Sequence, residues 1–236
     1  MTDHRIVSQK EWLEERMQLL AKEKEFTRAR DQLSEARRAL PWVRVDERYV
    51  FQGPDGEQTL AQLFDAKSQL VVYHFMFDPE WDAGCKSCSF WADNFNGIVP
   101  HLAHRDVTMV AISRAPLAKL QAYRQRLGWS FKWFSSFGTR FNADFGVTFK
   151  PEELAGNRAT YNYGSLERPA GEMPGVSTFY KRANGEVFHA YSSYGRGIDI
   201  LNTAYNYLDL VPKGRDEQGL PSPMAWVRRH DEYDPR

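Results

Sequence analysis

One stretch constrains this chain more than any other: Trp81-Asp82-Ala83-Gly84-Cys85-Lys86-Ser87-Cys88, which holds both cysteines of the 236-residue sequence. A continuous apolar run, Gln69 to Phe77, stands before it. Continuous rather than alternating apolarity suits a central strand covered on both faces. Ser89-Phe90-Trp91-Ala92-Asp93-Asn94-Phe95 follows and reads as the opening of a helix. Strand, short loop, Cys-x-x-Cys and helix is the setting of a redox-active cysteine pair.

The chemistry explains the spacing. A helix start carries unpaired N–H groups and the positive end of the helix dipole. A thiolate there is favoured over a thiol, so its pKa falls. Cys85, at the cap, is expected to be the exposed attacking thiol, and Cys88, one turn further in, the resolving one. Lys86 adds positive charge beside the pair, and Trp81 stands at its approach. Two other readings stay open. The cysteines could join His74, inside the apolar run, and His189 in a tetrahedral zinc or soft copper site. They could also be small core residues without reactivity, in a protein that serves as a binding scaffold.

Composition sets the outer limits. The chain carries 31 basic and 31 acidic side chains, so no global field draws it to nucleic acid or to an anionic membrane. No stretch approaches a membrane span, and Met1 to Arg5 is not followed by an apolar signal region. A cytoplasmic location is expected, where a Cys-x-x-Cys pair is more often catalytic, sensing or metal-binding than a permanent staple.

Taken in order, Ser8 and Glu11 fit a capping box. They open a charged stretch free of Gly and Pro as far as Pro41, expected to form a long helix or two. Its incomplete apolar stripe (Trp12, Leu13, Leu19, Leu20, Phe26, Leu33, Ala36) needs a partner surface, either the rest of the chain or a second copy in a homodimer. Trp42 to Phe51 reads as a strand, Gly53-Pro54-Asp55-Gly56 as a turn, Glu57 to Leu60 as the returning strand, and Leu60 to Phe64 as a short helix. The helix after Cys88 is expected to reach Val99 or Pro100. Asp106 to Ile112 reads as a strand, and a helix follows from Pro116 to Gly128. Trp129 to Phe149 is aromatic and suggests no regular element. Pro151 to Pro174 reads as a long insertion, of the length at which loops are usually functional or disordered. Gly175 to Lys181 and Glu186 to Tyr191 form a hairpin about Asn184-Gly185, and Gly197 to Leu210 a last helix. The tail from Pro212 is expected to wrap the domain or remain mobile.

This order is that of a thioredoxin-like α/β fold: a three-layer sandwich about a mixed sheet over residues 41–211, with an insertion at about 150–174. A helical extension (1–40) precedes it and a tail (212–236) follows. More closely, the chain resembles the bacterial family catalogued as domain of unknown function 899, described as thioredoxin-like. The residues that carry the resemblance are Glu23-Lys24-Glu25-Phe26-Thr27-Arg28, Leu40-Pro41-Trp42-Val43, Tyr73-His74-Phe75-Met76-Phe77, Cys85-x-x-Cys88-Ser89, Ser113-Arg114-Ala115-Pro116, Ser135-Ser136, Phe141-Asn142, Asp144-Phe145 and Tyr194-Gly195-Arg196-Gly197.

The resemblance also implies departures. Thioredoxins place a proline before the third core strand, facing the cysteines. Aligning Gly175-Val176-Ser177-Thr178 with that strand puts Ser177 in the proline slot, with Pro174 three residues early. Peroxiredoxins carry Thr or Ser three residues before the peroxidatic cysteine, where this chain has Asp82, although the Trp42–Leu60 hairpin resembles their N-terminal extension. Arg114, at the carboxyl end of a core strand where ligands gather, is either a salt-bridge partner or an anion grip. The expected activity is thiol–disulfide exchange or another thiol-dependent reduction. It would need a thiol or disulfide partner and no cofactor beyond the redox-active pair, a metal being the alternative.

Overall fold

The structure is a computed structural model describing residues 4–156, 158–167 and 169–234; the N-terminal reading of Met1-Thr2-Asp3 lies outside them. The chain forms two compact units that divide between Pro41 and Trp42.

The first unit is one helix, α1 (Gln9–Arg38), not two. The expected capping box is present: the Glu11 N–H donates to Ser8 Oγ (3.3 Å) and the Ser8 N–H donates to Glu11 Oε2 (2.9 Å). Arg37 and Arg38 close the helix, where cations suit the dipole. None of its residues is buried.

The second unit is built on an eight-stranded mixed sheet. In chain order its elements are β1 (Val43–Arg44), β2 (Val50–Gly53), β3 (Gly56–Thr59), a 3₁₀ turn at Gln62–Phe64, β4 (Gln69–His74), α2 (Lys86–Ala92), α3 (Phe95–His104), β5 (Val107–Ser113), α4 (Leu117–Arg126), β6 (Lys132–Ser135), α5 (Phe141–Asp144), α6 (Pro151–Ala155), β7 (Thr160–Tyr161), β8 (Leu166–Glu167), β9 (Gly175–Lys181), β10 (Val187–Tyr194), a 3₁₀ turn at Gly195–Leu201 and α7 (Thr203–Leu208). The strand order is β1-β10-β9-β4-β5-β6-β2-β3, with β7 and β8 as a separate pair. β4 lies at the centre, parallel to β5 and antiparallel to β9; β6 extends the parallel set beyond β5. This is the thioredoxin-like sandwich, with an extra parallel strand and the β2–β3 hairpin added on one side.

The pleat explains the apolar run. Successive side chains alternate between faces. Tyr73, Phe75 and Phe77 enter a core with Cys88, Trp91, Phe95 and Tyr123, beneath α2, α3 and α4. Leu70 and Val72 enter the opposite core with Phe51, Phe64, Phe141 and Phe179. Both faces are covered, so no polar residue marks the alternation.

Four expectations need correction. Trp129–Phe149 contains β6, hidden in an aromatic stretch because Trp133 and Phe134 fill opposite cores. Trp42–Phe51 is two short strands rather than one: β1 pairs with β10 and β2 with β6, near opposite edges of the sheet. The helix after Cys88 stops at Ala92 and resumes at Phe95, its break held by Asp93, whose Oδ1 accepts from Trp129 Nε1 (2.9 Å). The last helix is a 3₁₀ turn and then α7, because buried Asn202 caps a new start by accepting the Tyr205 N–H (2.9 Å). Among the described residues no helix is long and apolar enough to cross a membrane.

Candidate active site

Both cysteines lie at the carboxyl end of β4, and both are free thiols. Cys85 is the N-cap of α2, with φ −55° and ψ 128°. Its N–H donates to Met76 O (3.1 Å), which returns the loop to the strand end. Gly84 sits immediately before it because nothing larger fits: a Cβ there would meet Phe75 Cε1 at 2.8 Å and Tyr123 Cε1 at 3.0 Å. Cys85 is partly exposed, while Cys88 retains 2% exposure and accepts the Met76 N–H on its sulfur (3.4 Å).

The two thiols are driven apart in acidity. The Cys88 thiol hydrogen-bonds the Cys85 sulfur and is the first cause that brings Cys85 down to about 6, against opposing burial; the N–H groups of Cys88 and Ser87 and the Ser87 hydroxyl add to it. Burial pushes Cys88 well up, and the neighbouring Cys85 pushes it further. The sequence pointed to the helix dipole and Lys86 as the source of acidity. α2 spans only seven residues, and the Lys86 ammonium is turned to the Ala225 carbonyl (3.2 Å), so specific hydrogen bonds carry the effect instead.

Several residues of the site are absent from the site candidates that the sequence offers. Ser89 Oγ donates to Cys85 O (2.9 Å) and shares a hydrogen bond with the Tyr123 hydroxyl (2.9 Å). That hydroxyl accepts from Arg229 Nε (2.6 Å), and Arg229 Nη2 donates to Gly84 O (2.8 Å). Arg229 lies in the tail, 145 positions from Gly84, and only the fold brings them together. Tyr73 is buried beneath the pair, and burial followed by the charge of Cys88 raises its pKa. A cleft of about 220 Å³ opens on Cys88, lined among others by Tyr73, Met76, Trp91, Pro174, Ile198 and Met224.

The other sequence candidates fall elsewhere. Trp81 lies in the approach loop, partly exposed, and its carbonyl accepts from Lys119 Nζ (2.9 Å). Arg114 is held by Glu172 (2.9 Å) and Asp78 (3.4 Å), which makes it a structural ion pair. Burial raises the Glu172 carboxyl to about 7 despite Arg114. Ser177 is not in the slot facing the cysteines. Its neighbour Val176 faces Cys88, so Ser177 points to the other side of the sheet, and Pro174, directly before β9, lines the cleft.

His74 is on that far side too. Its Nε2 bonds Ser177 Oγ (2.8 Å), Ser177 Oγ bonds Ser192 Oγ (2.7 Å), and Ser192 Oγ bonds His189 Nε2 (2.7 Å). The His74 ring stacks on Phe141 and Phe145, and burial lowers its pKa to about 3. The sheet therefore separates His74 from Cys88, and the four residues of the metal reading do not converge. Among the described residues no group of three or more His, Cys, Asp or Glu could hold a metal ion.

Fold and site together define a thioredoxin-like protein with a Cys-x-x-Cys pair at a helix start. The chain belongs to the family described as "Bacterial protein of unknown function (DUF899)", which matches residues 1–233. No curated protein matches it. Among solved structures it is similar to Xanthomonas campestris peroxiredoxin Q (14% identity, 70% of this chain and 94% of that one, TM-score 0.44). It is also similar to Mycobacterium tuberculosis peroxidoxin BcpB (14%, 66% and 89%, TM-score 0.43) and to the mitochondrial 2-cys peroxiredoxin of Plasmodium falciparum (11%, 72% and 92%, TM-score 0.41). At these values the chemistry has to be read from the chain's own residues.

Proposed function

We propose that the protein is a dithiol reductase in which Cys85 attacks and Cys88 resolves. One observation carries the reading: a partly exposed cap cysteine made acidic by hydrogen bonds, above a buried cysteine kept protonated. The Cys85 thiolate attacks one sulfur of a substrate disulfide, forms a mixed disulfide and expels the first thiolate. Cys88 then loses its proton and attacks the Cys85 sulfur. The second substrate thiolate leaves, and Cys85 and Cys88 are oxidised together by two electrons; the two leaving thiolates take up protons. An external thiol reductant restores the pair.

The coupling gives the steps their order. The Cys85 charge is one of the causes that hold the Cys88 proton in place. Mixed-disulfide formation removes that charge, so Cys88 becomes a better acid when its thiolate is needed. A reducing compartment such as the cytoplasm would keep the pair as free thiols between turnovers. No cofactor is required.

The test is the pH dependence of alkylation of the reduced protein. A rapid phase with a midpoint near 6 is expected, and Cys85→Ser should abolish it. A midpoint at or above the ordinary thiol value of about 8.5 would overturn the proposal.

A further inference from the structure

The tail is built into the site. Met224 lines the cleft at Cys88, in a left-handed conformation (φ 64°). The Ala225 carbonyl accepts from Lys86, between the two cysteines. Trp226 packs edge-on against Phe90 at 5.5 Å, and Val227 is fully buried. Arg229 holds the Gly84 carbonyl directly before Cys85 and reaches Cys85 O through Tyr123 and Ser89. His230 bonds Asp93 (2.6 Å), and Arg126 clamps Asp231 (2.7 Å) and Glu232 (2.9 Å).

A second anchor sits upstream. Glu217 Oε1 accepts from Tyr205 Oη (2.6 Å), Met224 N (2.9 Å) and Trp226 Nε1 (2.9 Å). A freely moving tail would not retain side-chain partners on α2 (Lys86, Phe90), α4 (Arg126, Tyr123) and α7 (Tyr205) at once.

Resting on the dithiol chemistry above, we infer that residues 224–232 are a specificity strap that reserves the cysteine pair for small disulfides with an apolar body and excludes disulfides within folded proteins. A protein disulfide needs open surface around the attacking sulfur on which its backbone can lie. Here the residues on both sides of Cys85, Gly84 and Lys86, are already bonded to the tail. What remains open is the cleft. Its walls are mainly apolar, and it ends on Cys88, whose thiol hydrogen-bonds the Cys85 sulfur. An engineered cavity of about 150 Å³ holds a benzene ring, so about 220 Å³ admits a body of aromatic-ring size. The cleft is lined by Ser87 and Cys88 and not by Cys85, so a molecule whose body is seated there must extend its disulfide past Cys88 to the partly exposed Cys85 sulfur.

The experiment uses the full reduced chain with two probes, 4,4′-dithiodipyridine as a small uncharged aromatic disulfide and insulin as a protein disulfide. Cys85 alkylation by iodoacetamide reports in each sample whether the pair is intact. The full chain should reduce the pyridine disulfide, releasing both thione halves per dithiol, and leave insulin oxidised. Arg229→Ala removes three charge-assisted hydrogen bonds, to Tyr123, Gly84 and Glu232, and should raise insulin reduction about tenfold or more. Met224→Trp fills the cleft by an independent route and should slow reduction of the pyridine disulfide about tenfold. Insulin reduction by the full chain as fast as by Arg229→Ala overturns the strap, as does an unchanged pyridine disulfide rate in Met224→Trp. If the full chain reduces neither probe and Cys85 alkylates as an ordinary thiol, the dithiol reading itself has failed instead.

Discussion

The sharpest consequence of the site concerns Cys88→Ala, read at Cys85. The substitution removes the first cause of the low Cys85 pKa, the thiol that hydrogen-bonds its sulfur, and leaves the backbone N–H groups of Ser87 and residue 88. The midpoint of Cys85 alkylation should therefore rise from about 6 by at least about one unit, with a ceiling near the free-thiol value of about 8.5. A single rate at pH 7 would hide this. Losing the whole shift cuts the thiolate fraction there about 30-fold, but a more basic thiolate is a better nucleophile by about 13-fold at a Brønsted slope of ~0.45, so the net loss is only about twofold. At pH 5 the two effects no longer nearly cancel, and the same arithmetic gives a loss of about 3-fold for a one-unit rise and about 20-fold at the ceiling. The assay is iodoacetamide alkylation followed by mass spectrometry across pH 4.5 to 9, on wild type and variant together. An unmoved midpoint in Cys88→Ala would show that the acidity of Cys85 does not come from its partner, and the order of steps derived from that coupling would fall.

Three further outcomes follow from groups away from the sulfurs. Ser177→Ala takes from buried His74 Nε2 its hydrogen-bond partner and leaves Ser192 Oγ with His189 alone, so it should cost about 1–3 kcal/mol in chemical denaturation yet leave the Cys85 alkylation profile unchanged; a shifted profile would return Ser177 to the cysteine side. Glu172 has its carboxyl raised to about 7 from 4.5 by burial, so its contribution to stability is full below pH 4.5 and is lost as pH rises through 7. Glu172→Gln should then lose less stability than wild type between pH 5 and pH 8, and parallel curves would contradict the assignment. Gly84→Ala forces a Cβ against Phe75 and Tyr123, and should lower the melting temperature and speed hydrogen exchange at the Arg229–Gly84 contact; an unchanged melting temperature would mean that the loop relaxes freely.

What could be read in advance was what depends on neighbours in sequence. The β4 run, the Cys-x-x-Cys turn, the Ser8 capping box and the Asn184-Gly185 hairpin each declare themselves within about ten residues, because strand burial, capping and turn chemistry are local. Periodicity failed where both faces are buried. Trp133 and Phe134 enter opposite cores, and nothing in an aromatic stretch distinguishes that from a loop. Side-chain direction was not legible for the same reason at Ser177 and His74, although His74 reads first as a core side chain and is one. The metal set and the proline slot both required these residues to face the cysteines, and a one-residue difference in register reverses the face. Pro174, directly before β9, lines the cleft at Cys88, the side that Ser177 was expected to face.

The tail is a different case, because its composition leaves wrapping and mobility both open. Its residues are charged and Pro-containing, which is also the composition of a mobile terminus, and nothing local shows that Arg229 will find Gly84. Yet those long-range bonds hold the residues on either side of Cys85. The central β4–α2 turn supplies the thiol pair, and a segment more than 130 residues downstream covers the surface beside it. On the proposed dithiol chemistry, the thioredoxin-like core would supply the two thiols, while the segment added after it would govern which disulfides come within reach.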